Sequence, residues 1–440
     1  MTDERPSPSA LCEQVLALVG DRAEAIVSAS AGESALTRFA TSMIHQNVAE
    51  DDSSVFLKVI VDGRYASAST TQTDRDALQR LADRTIEAAR LRPADPDWPG
   101  LAAPASAPDV EHWDDDTADA SPDDRAAVVR AFVDAGGGLE AAGFCSTNGR
   151  HTALANSAGQ RLEGRASSAT INGIHRTGAS DASSTFTSVH LADLDGAAVG
   201  AEAAARARAT EQGVDIEPGS YEVVLSPSCL ANMLQFLAYA GFNAKAHLEG
   251  TSFVHLGEAQ FDPSVSIWDD ATDPRTLGLP FDNEGTPKRR VDLVAGGVTT
   301  NLVHDRRTAR LAGTGSTGHG LGQESAGAYP SNLFFGEGGV GVDALIGSVE
   351  RGLAVYDFWY TRVLDPKTQV VTGLTRNGVF LIEDGKLGPA VRNLRFTQSF
   401  VAALGPGKVK GIGDDGQLVN GMHVPSVHLA AWNFTGGAKG

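Results

Sequence analysis

Gly313-Thr-Gly315-Ser-Thr-Gly318 matches G-x-G-x-x-G literally, a loop whose bare backbone amides can approach a pyrophosphate. That chemistry also needs a strand before the loop, a helix after it and an acid about 20 residues further on. Here His319-Gly320-Leu321-Gly322-Gln323 follow, too rich in glycine to start a helix, although Glu337 falls near the required distance. The expectation is a flexible glycine loop in a β-rich domain. No Lys follows the glycines, so no Walker loop is present, and no G-x-S-x-G nucleophile elbow occurs anywhere.

The eleven histidines are scattered, and H-E-x-x-H, which sets two imidazoles one turn apart around a general base, does not occur. His423 and His428 are spaced for opposite faces of a strand. His255 and Glu258 would share a helical face, but Phe253-Val254-His255-Leu256 reads as strand. Surface or satisfied-core roles are expected for each. Carboxylates are too abundant for a catalytic pair to stand out, and Asp269-Asp270 and Asp114 to Asp116 read as solvated loop charges. Arg306, Arg307 and Arg310, with Lys288-Arg289-Arg290, form basic islands expected to be exposed. Cys12, Cys145 and Cys229 lie far apart without C-x-x-C, which points to a reducing compartment and excludes a disulfide scaffold or cysteine-rich zinc module.

These residues must be held by recognisable elements. A helix is expected around 11–19, then a buried strand at Val55 to Val61 running into the turn-forming Asp62-Gly63. Leu78, Leu81, Ala82, Thr85, Ile86 and Ala89 recur on one helical face, with Asp74 or Asp76 available as cap. Residues 92–124 are rich in Pro, Ala and Asp and read as an exposed connection, ordered in part through Trp98 and Trp113. Ser121-Pro122 restarts a helix as N-cap and first residue, with Asp124 facing its positive end.

Residues 143–193 are strand-like, with Ser180 to Ser188 read as a strand of polar alternation, and an Ala-rich helix runs near 198–212. Tyr221 to Leu225 is a strand entering Ser226-Pro227, another N-cap pair. The helix after it, to Gly241, is apolar nearly all round, which places it in a domain core or a subunit interface. Strands follow at 264–268, 290–294, 352–363 and 378–383, with Asp384-Gly385 as a hairpin turn.

The fold class is α+β: an N-terminal α/β region, then a β-rich, sandwich- or barrel-like C-terminal domain. The division is 1–91 (N-terminal α/β domain), 92–124 (connection), 125–213 (middle α/β segment) and 214–440 (β-rich domain). The 440 residues carry 55 acidic and 36 basic side chains, a formal net charge of −19, which would repel nucleic acid or an anionic membrane. An apolar share of 42% is ordinary for a globular chain. Met1 to Pro6 is acidic and polar, unlike a secretory signal, and the longest uncharged run, Ser226 to Ala244, is too polar to span a bilayer. A cytoplasmic location is expected.

Ser34-Ala35-Leu36-Thr37-Arg38-Phe39-Ala40 and Ile44-His45-Gln46-Asn47 resemble the opening signature of the TldD/PmbA family. Pro218 to Pro227, Phe281-Asp282-Asn283-Glu284-Gly285-Thr286-Pro287, Phe380 to Lys386 and Val424-Pro425-Ser426-Val427 are similar to its C-terminal part. The resemblance spreads over residues 34–430 and implies two-subunit complexes that cleave peptides. In them the TldD-type subunit carries H-E-x-x-x-H on a helix and a cysteine near the C-terminus as zinc ligands. The motif would fall on the helix after Ser226-Pro227, yet Ser228 to Gly241 contains no His, Asp or Glu, and no cysteine follows Cys229. Zinc catalysis takes about three protein ligands and an open position.

The chain therefore resembles the PmbA (TldE) side of the family: a non-catalytic partner of a TldD-like subunit in a hetero-oligomer that processes peptides. Zinc is expected in the partner, no metal or cofactor in this chain, and no catalytic residue is assigned. Thr314, Ser316 and His319 are the candidates for a peptide-cleft or partner-facing loop, because glycine-exposed amides can pair with an extended peptide. The competing readings are a self-sufficient hydrolase with an unrecognised site and a non-proteolytic binding protein on the same scaffold.

Overall fold

In the computed structural model, residues 6–323 and 325–437 are described; the reading of the N-terminal start falls, for residues 1–5, outside the described residues. α1 (Pro8–Val19) leads into a hairpin of β1 (Glu24–Ala40) and β2 (Met43–Val61), and β3 (Arg64–Thr70) returns beside β2. Asp62 and Gly63, at φ 51° and 71°, make the expected tight turn. α2 (Arg75–Arg90) is capped by Asp74, whose carboxylate accepts from the Ala77 amide, and it buries the stripe from Leu78 to Ala89. After a single turn, α3 (Asp115–Ala118), comes α4 (Pro122–Ala135), where Ser121 and Asp124 form a reciprocal capping box. β4 (Glu140–Asn156), β5 (Arg161–Arg176), β6 (Asp181–Ser188) and α5 (Gly196–Ala209) complete the N-terminal half.

All six strands form one antiparallel sheet in the order β3-β2-β1-β4-β5-β6. Ile26 to Phe39 pairs with Gly143 to Asn156, so strands from the segments 1–91 and 125–213 share one layer. That pairing joins segments more than a hundred positions apart, beyond the reach of local periodicity. Alternate β1 residues face the helices: Ala25, Val27 and Ala29 pack under α1 and α2, and Phe39 packs with Val129 and Phe132 of α4.

The connection is more than an exposed link. His112 is buried, with its ring nitrogens 2.9 Å from the Gly278 carbonyl and 3.0 Å from that of Asp273. Trp98 and Leu101 pack against a small core of Ile26, Leu154, Leu162 and Phe281.

In the C-terminal half, β7 (Gly219–Leu225) runs into α6 (Pro227–Ala240), followed by α7 (Ala244–Leu248). Short strands β8 (Ile267–Asp269), β9 (Val291–Ala295), β10 (Val298–Thr299) and β11 (Leu333–Phe335), with α8 (Arg306–Ala312) among them, precede β12 (Arg351–Asp365), β13 (Val370–Glu383), β14 (Lys386–Ala390) and β15 (Leu394–Ser399). The chain ends with β16 (Val409–Ile412), β17 (Gln417–Val419), β18 (Met422–Val424) and β19 (Val427–Gly437). Strands β12-β7-β19-β15-β13 close on themselves through β12–β13 pairing, a five-stranded barrel that bears out the α+β, barrel-like expectation. A second sheet has the order β10-β9-β8-β11-β18-β17.

α6 packs against β7 and β12 of the barrel and against β17 and β18 of the second sheet. Leu230, Met233, Leu234 and Leu237 are accordingly fully buried, the domain-core outcome for an apolar helix. Asp384-Gly385, at φ 49° and 72°, turns β13 into β14 as read.

Candidate functional site

Where edge strand β6 meets the barrel, a cleft of about 470 Å³ opens beside the N-terminus of α6. Ser226 caps that helix by accepting from the Cys229 amide, while its own hydroxyl donates to the Tyr356 carbonyl at 2.6 Å. Asn377 ties the two halves together across the cleft. Its amide nitrogen lies 2.6 Å from Ser183 Oγ and 2.7 Å from Asp357 Oδ2, and its oxygen accepts from the Ser183 amide at 3.2 Å. Asn377 sits at φ 59°, a left-handed conformation asparagine tolerates better than most residues.

Arg206 of α5 donates to the Ser183 carbonyl at 2.7 Å, pairs with Glu202 at 3.3 Å and stacks over Tyr356. Burial pushes the Asp357 carboxyl above its ordinary range, opposed by the Asn377 hydrogen bond. Arg206 Nε and Asn232 Oδ1 line the cleft as buried atoms with no partner. The wall is therefore made of amides and hydroxyls that both donate and accept, with charge of each sign confined to a few places. Such a surface suits a polar, extended ligand better than an apolar one.

The α6 residues do not fit a zinc ion. Their one thiol, that of Cys229, is fully buried, lies 3.5 Å from the Val355 carbonyl and is pushed well above the ordinary thiol range by burial. Zinc takes the deprotonated sulfur, which this site disfavours. Among the described residues, no group of three or more His, Cys, Asp or Glu is arranged to hold a metal.

None of Thr314, Ser316 and His319 lines the cleft. Thr314 is exposed, and the half-buried Ser316 donates to the His304 carbonyl at 3.1 Å. His319 turns inward: its side chain is 0% exposed, with Nε2 2.8 Å from Asp269 Oδ1 and Nδ1 2.9 Å from Thr317 Oγ1. As for the glycine run, a helix, α8, precedes it, and Gly313 at φ 67° is that helix's left-handed cap.

Two charge readings are corrected. Asp269 is not solvated: it lies on β8 inside the second sheet, at 0% exposure, and accepts from His319 and from the Asn332 amide. Asp270, at 8%, accepts from Thr272. The basic island on α8 is likewise engaged. Arg306 donates to the Leu101 carbonyl at 2.8 Å, Arg307 pairs with Asp95 at 2.5 Å, and Arg310 donates to the Trp98 carbonyl. Carbonyls of an extended, Pro-rich segment have no ladder partner of their own, so arginines from across the fold supply the donors.

Sequence reasoning missed the cleft residues Arg206, Asp357 and Asn377. The available signal was Asn377-Gly378, a turn dipeptide set inside a strand pattern.

Behind the loop, Glu284 accepts from the Arg306 amide at 2.8 Å, and its pKa is pushed up to about 7, first by burial and then by Asp282. A carboxyl raised from 4.5 favours the folded state fully below about pH 4.5 and loses that contribution as pH climbs to about 7. Glu284→Gln, which keeps an acceptor without the charge, is therefore expected to gain on the wild type across that window. The relative gain is about 3 kcal/mol. Denaturation midpoints at pH 5 and pH 8 measure it; equal pH slopes in the two proteins would refute it.

Comparison with known proteins gives a consistent result. Residues 218–436 match the family model for the PmbA/TldA metallopeptidase C-terminal domain, and residues 25–89 match PmbA/TldA metallopeptidase domain 1. A metalloprotease TldD homolog of Buchnera aphidicola subsp. Acyrthosiphon pisum is 27% identical over 213 residues, 47% of this chain and 43% of the relative. One from Haemophilus influenzae is 28% identical over 174 residues, 38% of this chain and 35% of the relative. The matched stretch thus spans less than half the length of either. In three dimensions the chain is similar to TldE from Thermococcus kodakarensis, with TM-score 0.88 at 18% identity, over 97% of this chain and 100% of that one.

Proposed function

This chain belongs to the TldD/PmbA family of metallopeptidase-related proteins, and on that premise we propose that it is the non-catalytic partner subunit of a TldD/TldE-type complex that processes peptides. The observation that carries the proposal is α6, the helix on which the family resemblance puts the metal motif. It has only apolar, amide, hydroxyl and buried thiol side chains. The metal and its activated water then belong to a second subunit bearing H-E-x-x-x-H. This chain's part is to wall the space in which a peptide is held. Arg206, Asn232 and the amide- and hydroxyl-lined cleft would engage peptide N–H and C=O groups without demanding a side-chain sequence. Thr314 and Ser316 leave the outer surface of the glycine loop to the partner, whereas His319 acts from inside as support. The three unpaired, buried cysteines agree with a reducing, cytoplasmic setting. Among the described residues no helix is long and apolar enough to cross a membrane.

Co-expression with the H-E-x-x-x-H homologue of the same cell tests this reading. The purified pair is expected to cleave unstructured peptides at least about 100-fold faster than this chain alone. This chain alone is expected to hold no stoichiometric zinc. One equivalent of tightly bound zinc, with chelator-sensitive cleavage by this chain alone, would overturn the proposal in favour of a self-sufficient hydrolase.

A further inference from the structure

The outer part of β12 is built unlike the rest of the barrel. Gly352 to Val355 pairs with β7 on one side, but beyond Val355 only β13 pairs with it among the described residues. Register shifts interrupt this arm between Val355 and Asp357, between Trp359 and Arg362 and between Val363 and Asp365. Bulges of this kind re-aim side chains. What they aim outward is aromatic and apolar: Trp359 is 48% exposed, Tyr360 64% and Leu364 60%. Tyr360 also sits at φ 56°, in the left-handed region. A bulky residue there is strained, and such strain gathers where function holds it.

Two guanidinium groups cover the rings without burying them. Arg362 lies 4.9 Å from the Tyr360 ring centroid and Arg376 lies 4.7 Å from that of Trp359. Aromatic rings with arginine are the composition of binding hot spots. The patch is continuous with the cleft, since Phe358 and Trp359 line it.

We propose that this aromatic–arginine rim is the surface on which the metal-bearing second subunit docks, presenting an acidic side chain to Arg362 and an apolar recess to Trp359 and Tyr360. The inference rests on the partner-subunit reading and adds where the partner sits. Docking at the rim closes the cleft, so a peptide lying along the amide- and hydroxyl-lined wall is covered by the subunit that holds the metal. A second copy of this chain is the poorer occupant, because two chains of net charge −19 repel each other. Arg376 is paired with Asp181 at 3.6 Å, so Arg362 is the cation of the rim that an acidic group of the partner would meet.

The test measures binding between this chain and its H-E-x-x-x-H homologue, with wild type, Tyr360→Gly, Trp359→Ala and Arg362→Glu. Glycine accepts the left-handed backbone, so Tyr360→Gly removes the ring while keeping or raising thermal stability. Each variant is expected to fold with an unchanged or higher melting temperature and to bind about 30-fold or more weakly. Arg362→Glu is further expected to slow association, most clearly at low salt. Wild-type affinity in all three variants would overturn the docking site and leave the partner-subunit reading standing. No complex with the wild type would overturn that reading itself. A wild-type homodimer dispersed by the same substitutions would overturn the choice of partner.

Discussion

Asp269→Ala is expected to destabilise the chain by about 3–5 kcal/mol, because removing one member of a buried pair strands the other. The His319 Nε2–H would lose its acceptor at 2.8 Å and the Asn332 amide its acceptor at 2.6 Å, both at residues buried from solvent. The damage would spread, since Asn332 also donates to Thr276 and to the Leu277 carbonyl and receives Lys288. Asp269→Asn should be milder, because an amide oxygen can still accept one of the two bonds. Asp116→Ala, at a solvated acid of the connection, should change stability by no more than about 0.5 kcal/mol. Urea unfolding of the three variants reads this directly. A loss at Asp269 no larger than at Asp116 would show the pair to be energetically idle.

Trp432→Ala should be about as severe, at about 3–5 kcal/mol, for a different reason. The ring is fully buried in the barrel, stacked on Phe358 at 5.0 Å and on Phe400 at 5.7 Å, with Phe396 edge-on at 5.3 Å. Truncation leaves a cavity bounded by three phenylalanines, anchored on β12, β15 and the turn after it, so the barrel cannot collapse into it without opening its ladder. The indole N–H has no partner, which makes Trp432→Phe a useful control: it deletes volume and an unpaired donor together. Its cost should be less than half that of alanine, measured by denaturation midpoint. Equal losses for Phe and Ala would mean that shape complementarity of the full indole, rather than filled volume, holds the barrel shut.

The two variants probe different degrees of legibility. Trp432 is a large aromatic residue in an apolar stretch, which favours burial. Strict alternation from Val427 and Leu429 would set it on the opposite face, but a register shift between Leu429 and Trp432 turns it inward. Asp269 carried no such mark. Beside Asp270, and after Ile267-Trp268, it reads like any acid at the end of a strand. Arg306 and Arg310 are similar: a basic island on an acidic chain gives no hint that its partners are main-chain carbonyls some 205 to 212 positions earlier. The cleft was equally invisible, because its wall comes from α5, α6, β6, β12 and β13, whose side chains are ordinary one at a time.

Sequence alone determined what depends on neighbours along the chain. Asp74, Ser121 and Ser226 cap helices through amides three residues away, Asp62-Gly63 and Asp384-Gly385 turn because they tolerate positive φ, and α2 buries the face its spacing prescribes. The missing donors on α6 belong here too, since folding cannot add an imidazole or a carboxylate to a helix that lacks them. Tertiary structure decided the pairing of β1 with β4, the closure of β12 on β13, and which charges are buried and bonded. A ladder partner or an ion-pair partner is chosen by proximity in space, and that proximity arises only when distant segments bury their apolar faces together.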